Sequence, residues 1–180
     1  MQSQNDTLSQ VSRNSHSKQR VKDLKSEITR VEMQAALDQW ASNLVAISRA
    51  KRSGEDYKTL AKTCILETYN YEDGSVLFKP TLASEKTFRT TFEGAHSYFV
   101  GDNPNFPEDR GFALNPWEKV DFEIAGIIIG ENHGIVMGNK ILTDINGRVT
   151  IANFTMGFVR VNDSKLKINL HHSSLPFNPN

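Results

Sequence analysis

Cysteine, net charge and long apolar runs are all scarce in this chain, and each shortage excludes something. Cys64 is the only cysteine in 180 residues, so neither an internal disulfide nor a cysteine-rich metal site can form. A lone thiol suits a reducing compartment, and a cytoplasmic location is expected. Lysine plus arginine total 21, aspartate plus glutamate total 21, and the formal charge is zero. Binders of nucleic acid or of acidic membranes need a basic excess, so neither partner is expected. No apolar run approaches the ~20 residues that span a bilayer, and the N-terminus lacks the apolar core of a secretory signal. There is no Walker loop, no GxGxxG, no GxSxG elbow, and no HxH or HxxxH pair.

What is present divides into a tail and one domain. Residues 1–25 have few apolar positions and no period, so they read as a disordered polar tail that includes a solvated His16. Residues 26–180 read as a single domain. Thr29 and Glu32 have capping-box spacing, and Ile28 can staple against Met33. Met33, Leu37, Trp40, Leu44 and Ile47 follow at steps of four and three, one face of a long amphipathic helix that Gly54 ends. Trp40 belongs to the core on this pattern. A second helix is expected from Asp56 to Tyr69, and "SVLFKPT" is a short strand stopped by Pro80. Phe88, Phe92, Ala95 and Phe99 recur at helical spacing up to about Val100. "GDNPNFPEDRGFALNPW" is a long irregular loop, a length often associated with function.

After Trp117 the character turns to β. Four strands are expected, with turns at "ENHG", "NG" and "NDSK". Asn146-Gly147 predicts a type I′ hairpin turn. Helices first and an antiparallel meander second indicate an α+β fold, with helices packed on one face of a curved sheet. Ile127, Ile128 and Ile129 are consecutive, and neighbouring strands are apolar at both parities. Both sheet faces are therefore expected to be covered, the second by another copy of the chain in a homodimer or larger oligomer.

The last strand, "KLKINLHHSS", carries the clearest chemistry. Alternation puts Leu166, Ile168, Leu170, His172 and Ser174 on one face, and Lys165, Lys167, Asn169, His171 and Ser173 on the other. Adjacent His171 and His172 then cannot share one metal. An apolar floor ending in His172 and Ser174 resembles the rim of a small-ligand pocket, where histidine can move a proton near neutral pH. The bland alternative is a His/Ser pair satisfied at a wet sheet edge. Lys79 to Thr81 leave the first strand where a pocket mouth would lie. Tyr98 is either a phenol reaching that pocket or a core tyrosine. Glu108 and Asp109 are consecutive and read as solvated loop carboxylates, His96 as a helix-surface residue, and His133 as a turn residue.

Taken in order, "LFKPT", "SYFVG", "EDRGFALNPW", "MGNK" and "LHHSSLP" resemble the iota-class carbonic anhydrases. That family lies within the group related to the association domain of calcium/calmodulin-dependent kinase II. The resemblance spans about Thr29 to Pro176. It implies a cone-shaped, nuclear-transport-factor-like (SnoaL-like) α+β domain and hydration of carbon dioxide to bicarbonate. It implies no cofactor, although members are described both without metal and with manganese, and zinc too stays open at this point. Matched motif by motif, the implied catalytic residues are Thr81, Tyr98, His172 and Ser174. Lys79, His171 and Ser173 are the accompanying substrate-binding candidates. If the strand is bulged, His171 and Ser173 exchange places with His172 and Ser174. The rival readings are a non-catalytic oligomerisation or small-ligand module of the same fold, and an isomerase or cyclase. The last would need a carboxylate of raised pKa on the pocket-facing strands, and none is evident.

Overall fold

The computed structural model describes residues 27–161 and 165–179. The predicted tail of residues 1–25 and most of the "NDSK" turn lie outside the described residues. Helix α1 spans Arg30–Ser53. Its start is the predicted capping box: Thr29 Oγ1 accepts from Glu32 N–H, and Glu32 accepts from Thr29 N–H. Gly54 closes it at φ 78°. Met33, Leu37, Trp40, Leu44 and Ile47 are buried along one stripe, as the spacing requires. Helix α2 spans Tyr57–Thr68, capped by Asp56.

Helix α3 spans Phe92–Val100 and is shorter than the aromatic spacing suggested. Thr91 caps it through Gly94 N–H, and Phe88 lies outside it, 69% exposed. The preceding residues are held differently: Arg89 N–H donates to Phe78 O, and the Arg89 side chain is buried. Glu108 and Asp109 are not solvated, contrary to the loop reading. Both turn onto Arg89 Nη2, at 3.3 and 2.8 Å, because a buried guanidinium requires anionic partners. Asp109 also accepts from Ser97 Oγ, which ties the long loop to α3.

The strands are β1 (Leu77–Lys79), β2 (Trp117–Ile129), β3 (His133–Asp144), β4 (Val149–Val161) and β5 (Lys165–Ser174). Their order is β1-β5-β4-β3-β2. Strands β2 to β5 form the expected antiparallel meander, and β1 adds a parallel edge that places Phe78 opposite His171. The β3–β4 turn is not type I′. Only Gly147 has positive φ, at 76°, and Gly147 N–H bonds Asp144 O while Asp144 N–H bonds Arg148 O. Asp144 Oδ1 accepts from the N–H groups of Asn146 and Arg148, so a three-residue loop with a terminal glycine replaces the two-residue turn.

Three register shifts shape the sheet. One leaves Ala125 unpaired on β2, a second leaves Asn169 unpaired on β5, and a third skips Glu118 at the start of β2. Bulges bend a strand and steepen its twist. Facing the first, Gly138 is compelled: a Cβ there would lie 2.0 Å from Glu123 O. The helices fill the inner face of this bent sheet. Val136, Leu142, Ala152, Phe154, Met156, Phe158 and Ile168 are buried on it.

Candidate active site

The bulge at Asn169 decides which half of the last strand faces inward. Phe158 pairs with Ile168, and Gly157 pairs with Leu170, so one residue is inserted and the alternation restarts. His171 and Ser173 are each 1% exposed on the inner face, whereas His172 is exposed and Ser174 half-buried on the outer one. The unbulged face assignment of His172 and Ser174 is therefore corrected, and the bulged alternative holds. His172 and Ser174 line a separate outer groove of about 490 Å³ with Met137, Asn139, Asn153 and Thr155.

Inside, two polar groups adjoin. The first is a cluster of hydroxyls. Thr81 Oγ1 donates to Ser173 Oγ at 2.8 Å, and Ser173 Oγ donates to Asn153 O at 3.1 Å. Lys79 Nζ donates to Ser173 O at 3.0 Å, and partial burial lowers its pKa. Pro80 ends β1 between them and turns Thr81 toward β5. Tyr98 reaches the cluster from α3, with Thr81 and the Leu82 N–H beside it. Its Oη is buried and has no hydrogen-bond partner of good geometry among the described residues. Burial pushes its pKa up, so it stays a phenol. Phe78, Phe99 and Phe112 pack around its ring and supply apolar walls.

The second group is a chain through His171. Trp40 Nε1 donates to Tyr69 Oη at 3.0 Å, Tyr69 Oη lies 2.7 Å from His171 Nδ1, and Lys140 Nζ lies 3.2 Å from His171 Nε2. Asn70 N–H bonds Ile168 O beside the bulge, which anchors Tyr69 against β5. The imidazole stacks on Phe78 with centroids 4.9 Å apart. Burial first, then Lys140 and His172, hold the His171 pKa well below its usual value. Burial alone brings Lys140 down to about 7. Burial also keeps Tyr69 well above the ordinary phenol range, so the chain carries no fixed negative charge.

Lys140, Tyr69 and Trp40 were absent from the sequence candidates. The signal for Lys140 existed: it has the parity of Val136 and Leu142 in "VMGNKIL", so strand alternation buries it. His96 and His133 take no part; His96 sits near Lys58 O, and His133 is exposed at the start of β3. Cys64 packs in the core, where burial lifts its pKa to about 11. Among the described residues, no three His, Cys, Asp or Glu side chains converge as a metal-holding group, and no helix is long and apolar enough to cross a membrane.

Comparison with known proteins gives one consistent result. Residues 31–175 match the family described as metal-independent carbonic anhydrase. A curated metal-independent carbonic anhydrase from Nostoc sp. strain PCC 7120 is 48% identical over 153 residues, covering 83% of this chain and 75% of that protein. The crystal structure of a cyanobacterial iota-carbonic anhydrase complexed with bicarbonate superposes with a TM-score of 0.82 at 46% identity, over 84% of this chain and 94% of that one. A calcium/calmodulin-dependent kinase II association domain from Thiobacillus denitrificans shares the fold alone, at 15% identity, a TM-score of 0.53, and coverage of 80% and 94%. The family's metal independence answers the manganese and zinc question that the sequence left open. With its inner hydroxyl cluster, buried histidine and cone-shaped α+β frame, this chain belongs to the metal-independent carbonic anhydrase family.

Proposed function

We propose that carbon dioxide is hydrated at the inner hydroxyl cluster, with Thr81, Ser173 and Tyr98 as the groups that touch the reacting atoms. The observation that carries this reading is the unpartnered Tyr98 Oη, a buried donor beside an already bonded Thr81–Ser173 pair. Leaving such a donor empty costs roughly 1–3 kcal/mol, which a bound oxygen recovers. The bicarbonate bound by the cyanobacterial relative is a ligand of fitting chemistry.

The hydroxyl directions assign roles. The Thr81 proton goes to Ser173, and the Ser173 proton goes to Asn153 O. Thr81 Oγ1 therefore presents lone pairs and can accept a hydrogen bond from a water, orienting that water's own lone pair. Tyr98 presents its proton and can stabilise charge developing on a carbonate oxygen. The phenyl rings around Tyr98 offer carbon dioxide a dry wall. Lys79 acts on the backbone of Ser173 and fixes its carbonyl. His171, and not His172, is the histidine on this side, so it takes the proton-relay role.

Two further readings go with this one. Met137 and Ile128 are 56% and 65% exposed on the outer side of the sheet, as is part of Ile151. A second copy of the chain covers this face in the proposed homodimer, whose test is the mass in solution by sedimentation. Cys64, a lone unpaired thiol, supports the proposed cytoplasmic location.

Stopped-flow hydration of carbon dioxide by purified protein, before and after chelation, tests the activity. The expected result is hydration that survives chelation, and its loss in Tyr98→Phe. Full activity in that variant would remove the site from the hydroxyl cluster.

A further inference from the structure

Hydrogen-bond bookkeeping along the buried chain assigns a state to a residue that no motif flagged. Trp40 Nε1 can only donate, so Tyr69 Oη accepts from it. Two arrangements remain. In the first, a charged Lys140 donates to His171 Nε2, and His171 Nδ1–H donates to Tyr69. Tyr69 would then accept twice, and its own proton would have no partner among the described residues, although the side chain is only 1% exposed. In the second, Tyr69 donates to His171 Nδ1, and His171 Nε2–H donates to the lone pair of a neutral Lys140 amine. Each donor from Trp40 to His171 is then matched to an acceptor. We infer that Lys140 is a neutral amine at the end of a one-way chain, Trp40 to Tyr69 to His171 to Lys140, and that it stores the proton released by hydration.

The surroundings supply no counter-charge. Lys140 Nζ forms no ion pair among the described residues, and its charged form would gain only a contact with the Trp40 ring face, 4.8 Å away. The titratable groups facing it are His171 from β5 and, one bond further along the chain, Tyr69. On its own strand Asp144 is tied to Arg148, and the buried Asp109 is tied to Arg89, so neither neutralises it. Burial brings the amine down to about 7, where an acceptor of protons is most useful. The chain adjoins the hydroxyl cluster: Tyr69 and Tyr98 both pack on Phe78 and Phe99, and Ser173 follows His171 by two residues on the same face.

The proton balance closes, and it rests on the hydration reading. Attack by water on carbon dioxide forms a C–O bond and breaks one O–H bond. The released proton joins Tyr69 Oη, Tyr69 passes its own proton to His171 Nδ1, and His171 passes its Nε2 proton to Lys140. One N–H bond has formed on Lys140, while Tyr69 and His171 hold as many protons as before. His171 has inverted its tautomer without becoming an imidazolium, consistent with its strongly suppressed basicity. Lys140 acts through His171 and is a positioning residue by this account.

The test has a readout independent of activity. In protein with 15N-labelled histidine, NMR is expected to show His171 as the Nε2–H tautomer at alkaline pH. It should convert to Nδ1–H as Lys140 protonates. Lys140→Met should abolish the conversion and lower the hydration rate constant at least ~10²-fold, with loss of its inflection near neutrality. Lys140→Arg, permanently charged, should hold Nδ1–H at all pH values and be equally slow. A pH-invariant tautomer in the unmodified chain, a conversion that persists in Lys140→Met, or an unchanged pH–rate profile would overturn the inference. Absence of hydration in the unmodified protein would instead overturn the hydration reading, and with it the proton's source, while the tautomer spectra still decide the state of Lys140.

Discussion

His171 and His172 are neighbours of the same type in opposite surroundings. One is sealed between Tyr69, Lys140, Trp40 and Phe78, its basicity suppressed by burial. The other is exposed beside Asn139, Asn153 and Thr155. The serines repeat the contrast: Ser173 is bonded to Thr81 and Asn153 O, while Ser174 lies on the outer groove. The same two side-chain types thus carry different chemistry because a single unpaired residue, Asn169, sets which of them meets the core.

The contrast can be broken most strongly inside. Ser173→Ala and Tyr98→Phe are each expected to lower kcat/KM for hydration by about 10²-fold, since Tyr98 donates to the reacting oxygen and Ser173 fixes the Thr81 hydroxyl that orients the water. Ser174→Ala should not, and stopped-flow assays of the three variants side by side check it. The next effect is on stability. Lys140 titrates at about 7 when folded and at 10.5 in its ordinary state, so the unfolded chain binds more protons between those values. Stability should therefore rise with pH across that window, by at most about 1.4 kcal/mol per pH unit from this group. It is fully present above 10.5 and lost as pH falls toward 7. Denaturant titrations of Lys140→Met should lack this rise.

Deleting Asn169 sharpens the comparison at smaller cost. Leu170 would then follow Ile168 in simple alternation, leaving His171 and Ser173 inward. A loss of about 1 kcal/mol is expected. A crystal structure of the variant should retain the Thr81–Ser173 contact. The smallest effect belongs to His172→Ala, expected to change the hydration rate less than about twofold and stability by under ~0.5 kcal/mol, since surface substitutions rarely do more.

Much of this was legible beforehand. The capping box at Thr29 and Glu32, the stripe from Met33 to Ile47 and the order of helices before strands follow from local chemistry that neighbours do not alter. The family resemblance also pointed to Thr81, Tyr98 and the terminal histidines and serines. What escaped reading depended on partners far away in sequence. Arg89 draws Glu108 and Asp109 inward from a loop that looked solvated, and Phe88 falls off a helix that its spacing seemed to extend. Lys140 was overlooked because a lysine is presumed solvated, yet its strand parity sends it to the core.

By itself the sequence determined an α+β domain, its long first helix, its meander and its family. Periodicity, capping and turn chemistry act over a few residues and need no distant partner. The tertiary structure alone decided which histidine and which serine face inward. A bulge leaves no mark in composition and arises only when β5 pairs with β4, where Phe158 and Gly157 must meet Ile168 and Leu170 with Asn169 left over. Once that residue is set aside, every side chain after it changes face, and His171 comes within reach of Tyr69 and Lys140.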